Sequence, residues 1–395
     1  MLLIFEAHPV PYHAPVFRTL QQDFDVPVHV IYGSDFSMVG YMDKGFATHL
    51  SWDHTLLEGY SSQFLSRVAE GGARNYDEVR PWGMTRAADA HPATAVLSIG
   101  YYAKYDLSGI AYALRRQLPL LFRGETNDEA HTRNPIFNTL RTVYLRQLYS
   151  RCAAMLYIGQ RSKEHFQCFG APNEKLFFSP YCIDERHFGT TPATLTDNRI
   201  EVRQKLGIPN DAIVVLFSGK LSAKKGVDLL IAAIRLLPEI WQSRVHLLLV
   251  GDGPLRNELL NQTLTKPELS SSFVGFQNQD ALSAYYDASD VLVLPSRERE
   301  TWGVVVNEAL INGLPCIVSD RVGCQPDLVH SGLTGEVFPA GNATALSQAI
   351  ESLVPRLPSP LISSQCRDQA RKYSVRSAAE GIAKAWHSLP KPHLP

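Results

Sequence analysis

Short apolar runs bounded by polar or turn-forming residues recur along this chain, and they constrain its fold more than any other feature. Leu2–Phe5, Val26–Ile31, Ala95–Ile99, Leu118–Phe122 and Met155–Ile158 lie in the first half. Ile213–Phe217, His246–Val250, Ser272–Val274, Val291–Leu294 and Cys316–Ser319 lie in the second. A strand that is apolar on both faces is buried on both, which is the pattern of a parallel sheet covered by helices. Helical patterns fill the intervals, so an α/β chain with two doubly wound sheets is expected. At 395 residues the chain is too long for one ordinary core. The join is expected near residues 185–205, where Gly189-Thr190-Thr191-Pro192-Ala193-Thr194 breaks the pattern. The expected domains are 1–190 and 200–365. Gln365–Leu389 reads as one C-terminal helix, followed by a loose tail from Pro390 to Pro395.

Composition removes several alternatives. Hydrophobic residues make up 45% and charged residues 19%, as in a globular protein. A formal net charge of −1 gives no overall field that would recommend a nucleic-acid partner. The six cysteines show no CxxC pair and no metal-like spacing with histidine, so reduced thiols in a cytoplasmic protein are expected. No apolar run reaches the ~18 residues of a membrane span. The start MLLIFEAHPV has no basic n-region or small-residue cleavage site and reads as a first buried strand.

One segment points to chemistry. Residues 295–315 read PSRERETWGVVVNEALINGLP, with Glu300 and Glu308 flanking a Trp302-Gly303 step. The strand-like run Val291–Leu294 leads in. A helical pattern follows, with Val304, Val305, Glu308, Ala309 and Ile311 at helical spacing. A strand, a glycine-containing loop and a helix start make a site for an anion, because free N–H groups and the helix dipole favour negative charge there. Glu300 falls in the loop, and Glu308 about a turn and a half into the helix. One carboxylate can meet a polar group near a phosphate and the other a diol further along, which suits a nucleotide diphosphate carrying a sugar.

This segment resembles the E-x7-E signature of the retaining glycosyltransferases of family 4, which have the GT-B fold. Four further stretches resemble that family in the same order. They are Ser218-Gly219-Lys220-Leu221-Ser222-Ala223-Lys224-Lys225-Gly226, Val250-Gly251-Asp252-Gly253-Pro254, Val274-Gly275-Phe276, and Asp290 to Ser296 with Gly313-Leu314-Pro315. The resemblance covers roughly residues 210–340. It implies two Rossmann-like domains facing across a cleft, with a C-terminal helix over 366–389 crossing back onto the first. His8-Pro9-Val10-Pro11-Tyr12-His13-Ala14-Pro15 and Arg123-Gly124-Glu125-Thr126 resemble a subgroup associated with surface polysaccharides.

The resemblance also implies roles. Lys220 and Lys225 would hold the donor diphosphate. Two fixed cations can stabilise a departing diphosphate as a metal would, and no Asp-x-Asp-like cluster suggests a metal, so none is expected. Lys220 stands where the family often has Arg and lacks its bidentate fork. Lys224 reads as surface, and the other reading of all three is solvated loop lysines. Glu308 would accept hydrogen bonds from the ribose, or else be a helix-start glutamate favoured by the dipole. Glu300 would lie at the donor sugar, without being a nucleophile, in a front-side attack that retains the anomeric configuration. Glu298 has the wrong spacing to Glu308. The backbone of Thr301, Trp302, Gly303 and Val304 would meet phosphates or sugar, with Gly303 needed for close approach. Gly219, Gly251, Gly253, Gly275, Phe276 and Ser296 complete the donor set. Gly251-Asp252-Gly253 is not a dinucleotide fingerprint, because Arg256 takes the place of its last glycine.

The first half departs from the family, whose loop after the first strand often carries a glycine pair. Here side chains would line the site: His8 or His13 to orient acceptor or phosphate, and Tyr12 to stack on a sugar. Arg123 and Glu125 follow a strand end, the usual place for ligand groups in an open α/β sheet. Glu125 or His131 can stand in for a family histidine. Ordinary loop residues are the alternative for each. Phe137, Leu140, Val143, Tyr144 and Leu148 form an apolar stripe near Arg133, Arg141, Arg146 and Arg151. That stripe either packs on its own domain or lies on an anionic membrane.

The expected activity is transfer of a sugar from a UDP- or GDP-linked donor to a saccharide or lipid-linked saccharide, in the cytoplasm or at the inner face of the membrane. No cofactor is expected. An epimerase or phosphorylase on the same fold, or a non-catalytic sugar-nucleotide-binding subunit, are the rivals.

Overall fold

A computed structural model describes residues 1–43, 48–50, 54–125, 135–188, 192–264, 269–298 and 300–390. His131, Arg133, Gly189 to Thr191 and the last five residues of the expected tail lie outside the described residues. The chain divides into two compact units. Unit 1 comprises Met1–Met42, His49–Asp184 and Ser374–Pro395, and unit 2 comprises Asp43–Thr48 and Glu185–Tyr373.

Unit 1 is built on strands β1 (Leu2–Glu6) and β2 (Val28–Ser34). β3 (Tyr41–Asp43) and β4 (Thr48–Leu50) pair in a separate ribbon. β5 (Ser61–Ser66), β6 (Ala95–Ser98), β7 (Leu120–Gly124), β8 (Ala154–Tyr157) and β9 (Leu176–Phe178) complete the sheet. Its order is β5-β2-β1-β6-β7-β8-β9, and every pair is parallel. Every residue of β1, β2, β6 and β7 is buried. One face packs Phe5, Val96, Phe122, Tyr149 and Phe166, and the other packs Ile4, Phe17, Val30 and Leu121.

The second of these cores also takes Val375, Ala378, Ala379 and Ile382. The C-terminal residues therefore pack against the first strands of the chain. They do not form the single helix read from Gln365 to Leu389. Helices run from Pro360 to Arg371 and from Val375 to His387. Ser374 breaks the run by accepting a hydrogen bond from the Ser377 backbone N–H, so it starts a helix instead of continuing one.

Unit 2 holds β10 (Ile213–Ser218), β11 (Val245–Val250), β12 (Ser270–Gly275), β13 (Val291–Leu294), β14 (Cys316–Ser319) and β15 (Gly335–Phe338). Their order is β12-β11-β10-β13-β14-β15, again all parallel. In each sheet the strand order reverses direction once, beside β1 in unit 1 and beside β10 in unit 2. Loops at such a reversal diverge and open a crevice at the carboxyl ends of the strands. β5, β9 and β15 are absent from the sequence reading. All three are sheet edges, and an edge strand half-open to solvent need not be continuously apolar.

The base of unit 2 is tied by a buried charge network. Asp290 accepts from Arg203 Nη2 at 2.8 Å, from Arg199 Nη2 at 2.6 Å and from the Val214 backbone N–H at 2.8 Å. Arg203 also donates to the carbonyls of Ala288 and Ala212, both at 3.0 Å. The helix Pro192–Lys205 is thereby fastened to the start of β10 and the approach to β13.

Candidate functional site

In unit 2 the sequence-predicted residues gather where β10 and β13 part. The Ser222–Gly226 loop follows β10, and its Lys224 carbonyl accepts from the Arg297 backbone N–H at 2.9 Å. Arg297 then grips Asp228 with both terminal nitrogens, at 2.7 and 2.6 Å. These contacts fasten the loop after β10 to the loop after β13. Lys225 Nζ pairs with Glu300 Oε1 as a result, and Glu300 Oε2 accepts from Ser296 Oγ at 2.7 Å. Ser296 is held in turn by Ser319 Oγ, which donates to its carbonyl at 2.6 Å. The Glu300 backbone N–H donates to Arg321 O at 3.0 Å. A cation and a carboxylate are thus fixed side by side, both partly open to solvent. Lys220 lies half-buried just past the end of β10. Lys224 is exposed and lies 3.9 Å from Glu298, which is also exposed.

The glycines have packing reasons of their own. A Cβ on Gly251 would lie 1.9 Å from the carbonyl oxygen of Gly219, because the strand ends stay zipped: Gly219 N–H donates to Val250 O and Gly251 N–H to Gly275 O. Gly303 has φ +100, and a Cβ there would meet Val322 Cγ1 at 2.8 Å. The expected role of Gly303 was room for a ligand, and its nearest obstacle is the protein itself. Gly253 lies against Leu221. Gly275 and Phe276 follow at the end of β12, half-buried.

Trp302 is buried, donates from Nε1 to Asn307 Oδ1 at 2.8 Å and lies 5.9 Å from the Tyr373 ring. Its indole is structural, and its carbonyl accepts from the Cys324 N–H at 2.8 Å. Thr301 is exposed. The helix begins at Val305, directly after Val304, so Glu308 sits about one turn in, less than expected. Its buried face is Val306, Ala309 and Leu310, whereas Val304, Val305 and Ile311 are half-buried. Glu308 is itself buried and accepts from Tyr286 Oη at 2.7 Å. Burial pushes its carboxyl up to about 7, against the downward pull of the Tyr286 hydrogen bond.

Unit 1 assembles a second cluster at the carboxyl ends of β1 and β7. His13 starts the helix Ala14–Asp23. Its Nδ1 pairs with Glu6 Oε1, and its Nε2 lies 3.2 Å from Glu125 Oε1. Arg123 Nη1 is 3.3 Å from the same Glu125 oxygen, and Nη2 donates to Pro180 O at 3.0 Å. Arg123 also lies over the Tyr181 ring, 5.8 Å from its centre. Burial works against charge on His13, but the Glu6 and Glu125 carboxylates outweigh it and push the ring up to about 9. Burial raises Glu6. For Glu125 burial is outweighed by His13 and Arg123, and the carboxyl is held low.

His13, Arg123 and Glu125 therefore come together, while His8 does not join them. His8 packs on Phe36 at 4.5 Å, and burial pushes it down to about 4. Tyr12 lies 5.9 Å from Tyr181. Glu6 was missed by the sequence reading. Its signal was a carboxylate closing an otherwise apolar strand. Tyr286 and Tyr181 carried no comparable signal.

The helix Pro135–Arg151 corrects the single stripe read from sequence. Leu148 is buried with Leu145 and Tyr149, whereas Leu140, Val143 and Tyr144 are 63%, 56% and 42% exposed. Among the described residues, no group of three His, Cys, Asp or Glu side chains is placed to hold a metal ion, and no helix is long and apolar enough to cross a membrane.

Comparison with known proteins adds to this geometry. Residues 198–372 match the family Glycosyl transferases group 1. A sulfoquinovosyl transferase of Arabidopsis thaliana is 31% identical over 193 residues, 48% of this chain and 36% of that protein. The alpha-D-kanosaminyltransferase of Streptomyces kanamyceticus is 25% identical over 249 residues, 62% of each chain. The chain thus spans less than two thirds of the length of these relatives. The crystal structure of Anabaena HepE in complex with UDP superposes with a TM-score of 0.71 at 19% identity, covering 98% of this chain and all of that one. The chain has the GT-B fold of glycosyltransferases, and the family match falls on its second unit, at residues 198–372.

Proposed function

We propose that this protein is a retaining, metal-independent glycosyltransferase of family 4 that moves a sugar from a nucleotide-linked donor to an acceptor hydroxyl, in polysaccharide or glycoconjugate biosynthesis. The observation that carries the reading is the Lys225–Glu300–Ser296 constellation at the strand-order reversal of the group 1 domain. A fixed ammonium there meets the charge that develops on a departing diphosphate. Lys220 adds a second cation. Glu300 orients Lys225 and faces the donor sugar, and Glu308, when ionised, accepts from the ribose diol. A UDP-linked donor is favoured over a GDP-linked one, because the neighbouring HepE structures hold UDP and UDP-glucose. His13, Glu125, Arg123 and Tyr12 of unit 1 serve the acceptor, a saccharide or lipid-linked saccharide.

Thermal shift against UDP, GDP, ADP and their sugars, beside Lys225→Ala and Glu308→Ala, tests the donor site. A ligand that binds only the folded state raises its stability. Stabilisation by one base series, weakened in both variants, is the expected result. No stabilisation by any nucleotide sinks the reading and leaves a non-catalytic subunit.

A peripheral contact with an anionic membrane belongs to the same proposal. The observation behind it is the outward row of Leu140, Val143 and Tyr144 beside the exposed Arg146. Apolar side chains on a basic helix face suit an anionic lipid surface.

A further inference from the structure

We propose that Glu6 is a positioning residue that, together with Glu125, holds His13 as a doubly protonated imidazolium, leaving Glu125 as the group that meets an acceptor hydroxyl. This rests on the glycosyl-transfer reading for its role, while the protonation itself does not.

An ionised carboxylate only accepts hydrogen bonds, and a neutral imidazole has a single N–H. His13 has a carboxylate oxygen at each ring nitrogen, Glu6 at Nδ1 and Glu125 at Nε2. With both carboxylates ionised, both contacts are satisfied only if both nitrogens carry protons. Glu6 Oε2 is buried and has no hydrogen-bond partner among the described residues, so the pairing of this carboxylate goes to His13. Charge agrees with this assignment. Glu6 and Glu125 bring two negative charges, and Arg123 and an imidazolium bring two positive ones. With both carboxylates ionised, a neutral His13 would leave a net negative cluster in a mostly buried place, which is costly.

The other groups around the ring are accounted for. His8 lies on the preceding loop; burial pushes it down to about 4, so it is neutral at pH 7, and it is the burial of His13 itself that works against the cation. The start of the helix Ala14–Asp23 also disfavours positive charge. Tyr181, 6.5 Å away, keeps its hydroxyl proton because burial raises it. Two rival arrangements exist. In one, Glu6, raised by burial, keeps its proton and donates to Nδ1 of a neutral ring, which a neutral-tautomer spectrum would reveal. Arg123 offers the other. Its Nη1 lies 3.3 Å from His13 Nε2 and could donate to a neutral ring. That would place the Nε2 lone pair against the Glu125 oxygen at 3.2 Å, two acceptors face to face. An imidazolium lets His13 and Arg123 both donate to Glu125 Oε1.

The consequence is a division of labour. His13 is protonated at neutral pH and cannot take a proton from an acceptor hydroxyl. Its side chain is 10% exposed and that of Glu6 8%, against 29% for Glu125. Glu125 is the accessible member, kept ionised by His13 and Arg123.

Long-range 1H–15N correlation spectra of the full chain report ring protonation directly, with His13 assigned by its absence in His13→Gln. Expected are imidazolium shifts at both ring nitrogens at pH 7, and a titration midpoint about two units above the ordinary 6.5 or more. Glu6→Gln keeps an acceptor but removes the charge, and should lower the midpoint by about a unit or more. A neutral-tautomer pattern at pH 7, or a midpoint unchanged in Glu6→Gln, overturns the proposal. If Glu6→Gln does not fold, the wild-type titration still decides. No substrate is present, so this result stands apart from the nucleotide thermal shift that tests the transfer reading.

Discussion

Glu308 and Tyr286 share a 2.7 Å hydrogen bond between two fully buried side chains. The helix Val305–Ile311 and the helix Gln279–Asp287 are joined through it. Tyr286 pulls the Glu308 carboxyl down while burial pushes it up to about 7. In the proposed role only the ionised carboxylate accepts two ribose hydroxyls. Nucleoside diphosphate affinity should therefore rise between about pH 6 and pH 8. Tyr286→Phe should move that midpoint upward. Because the folded carboxyl holds its proton longer than the unfolded one, the associated stability falls as pH rises from 4.5 through about 7. Calorimetric titration of UDP across this range checks the shift; a pH-independent affinity would remove Glu308 from the site.

Lys225 and Glu300 retain side-chain exposures of 21% and 16%, so their ion pair should add little to stability. Lys225→Ala should lower transfer roughly 100-fold or more, the scale seen when one preorganised charge-stabilising group is lost. Its melting temperature should stay close to wild type. Lys224→Ala, on an exposed side chain, should retain activity. Initial rates with a sugar nucleotide separate the two lysines.

Asp290→Ala should be far more damaging to the fold. It removes the partner of a buried Arg203 and of Arg199, and strands the Val214 N–H. Breaking a buried pair from one side costs about 3–5 kcal/mol. Urea unfolding should show this loss, and a melting curve within a degree of wild type would contradict it.

His13 gives a stability term with its own pH window. Its pKa is raised from 6.5 to about 9, so the term is fully present below 6.5 and is lost as pH climbs through 9. At about 1.36 kcal/mol per unit, the term is worth roughly 3 kcal/mol. The stability gap between wild type and His13→Gln should be flat below pH 6.5 and shrink toward pH 9.5. A gap that widens with pH would show that the ring is neutral.

Leu140→Glu with Val143→Glu should leave folding intact, since both side chains already face solvent. The pair should abolish flotation with phosphatidylglycerol vesicles at low salt. Absence of wild-type binding ends the membrane reading.

The sequence by itself determined the local features. Runs apolar on both faces called for parallel strands, and β13 and β14 lie where they were read, because a buried strand carries its environment in its composition. The spacing of Glu300 and Glu308 marked the candidate donor site, since a loop and a helix start lie within one short stretch. Tertiary structure alone decided the rest. Leu140 and Leu148 lie on one helix, and only packing against the sheet shows that one faces outward and the other inward. Glu308 was legible as a carboxylate, but its partner Tyr286 was not, because they sit on separate helices. Glu6, His13, Arg123 and Glu125 meet across more than a hundred residues of chain. They meet because parallel strands deliver their carboxyl ends to one edge of a sheet, and β1 and β7 stand on either side of β6. Linear spacing carries no trace of that adjacency.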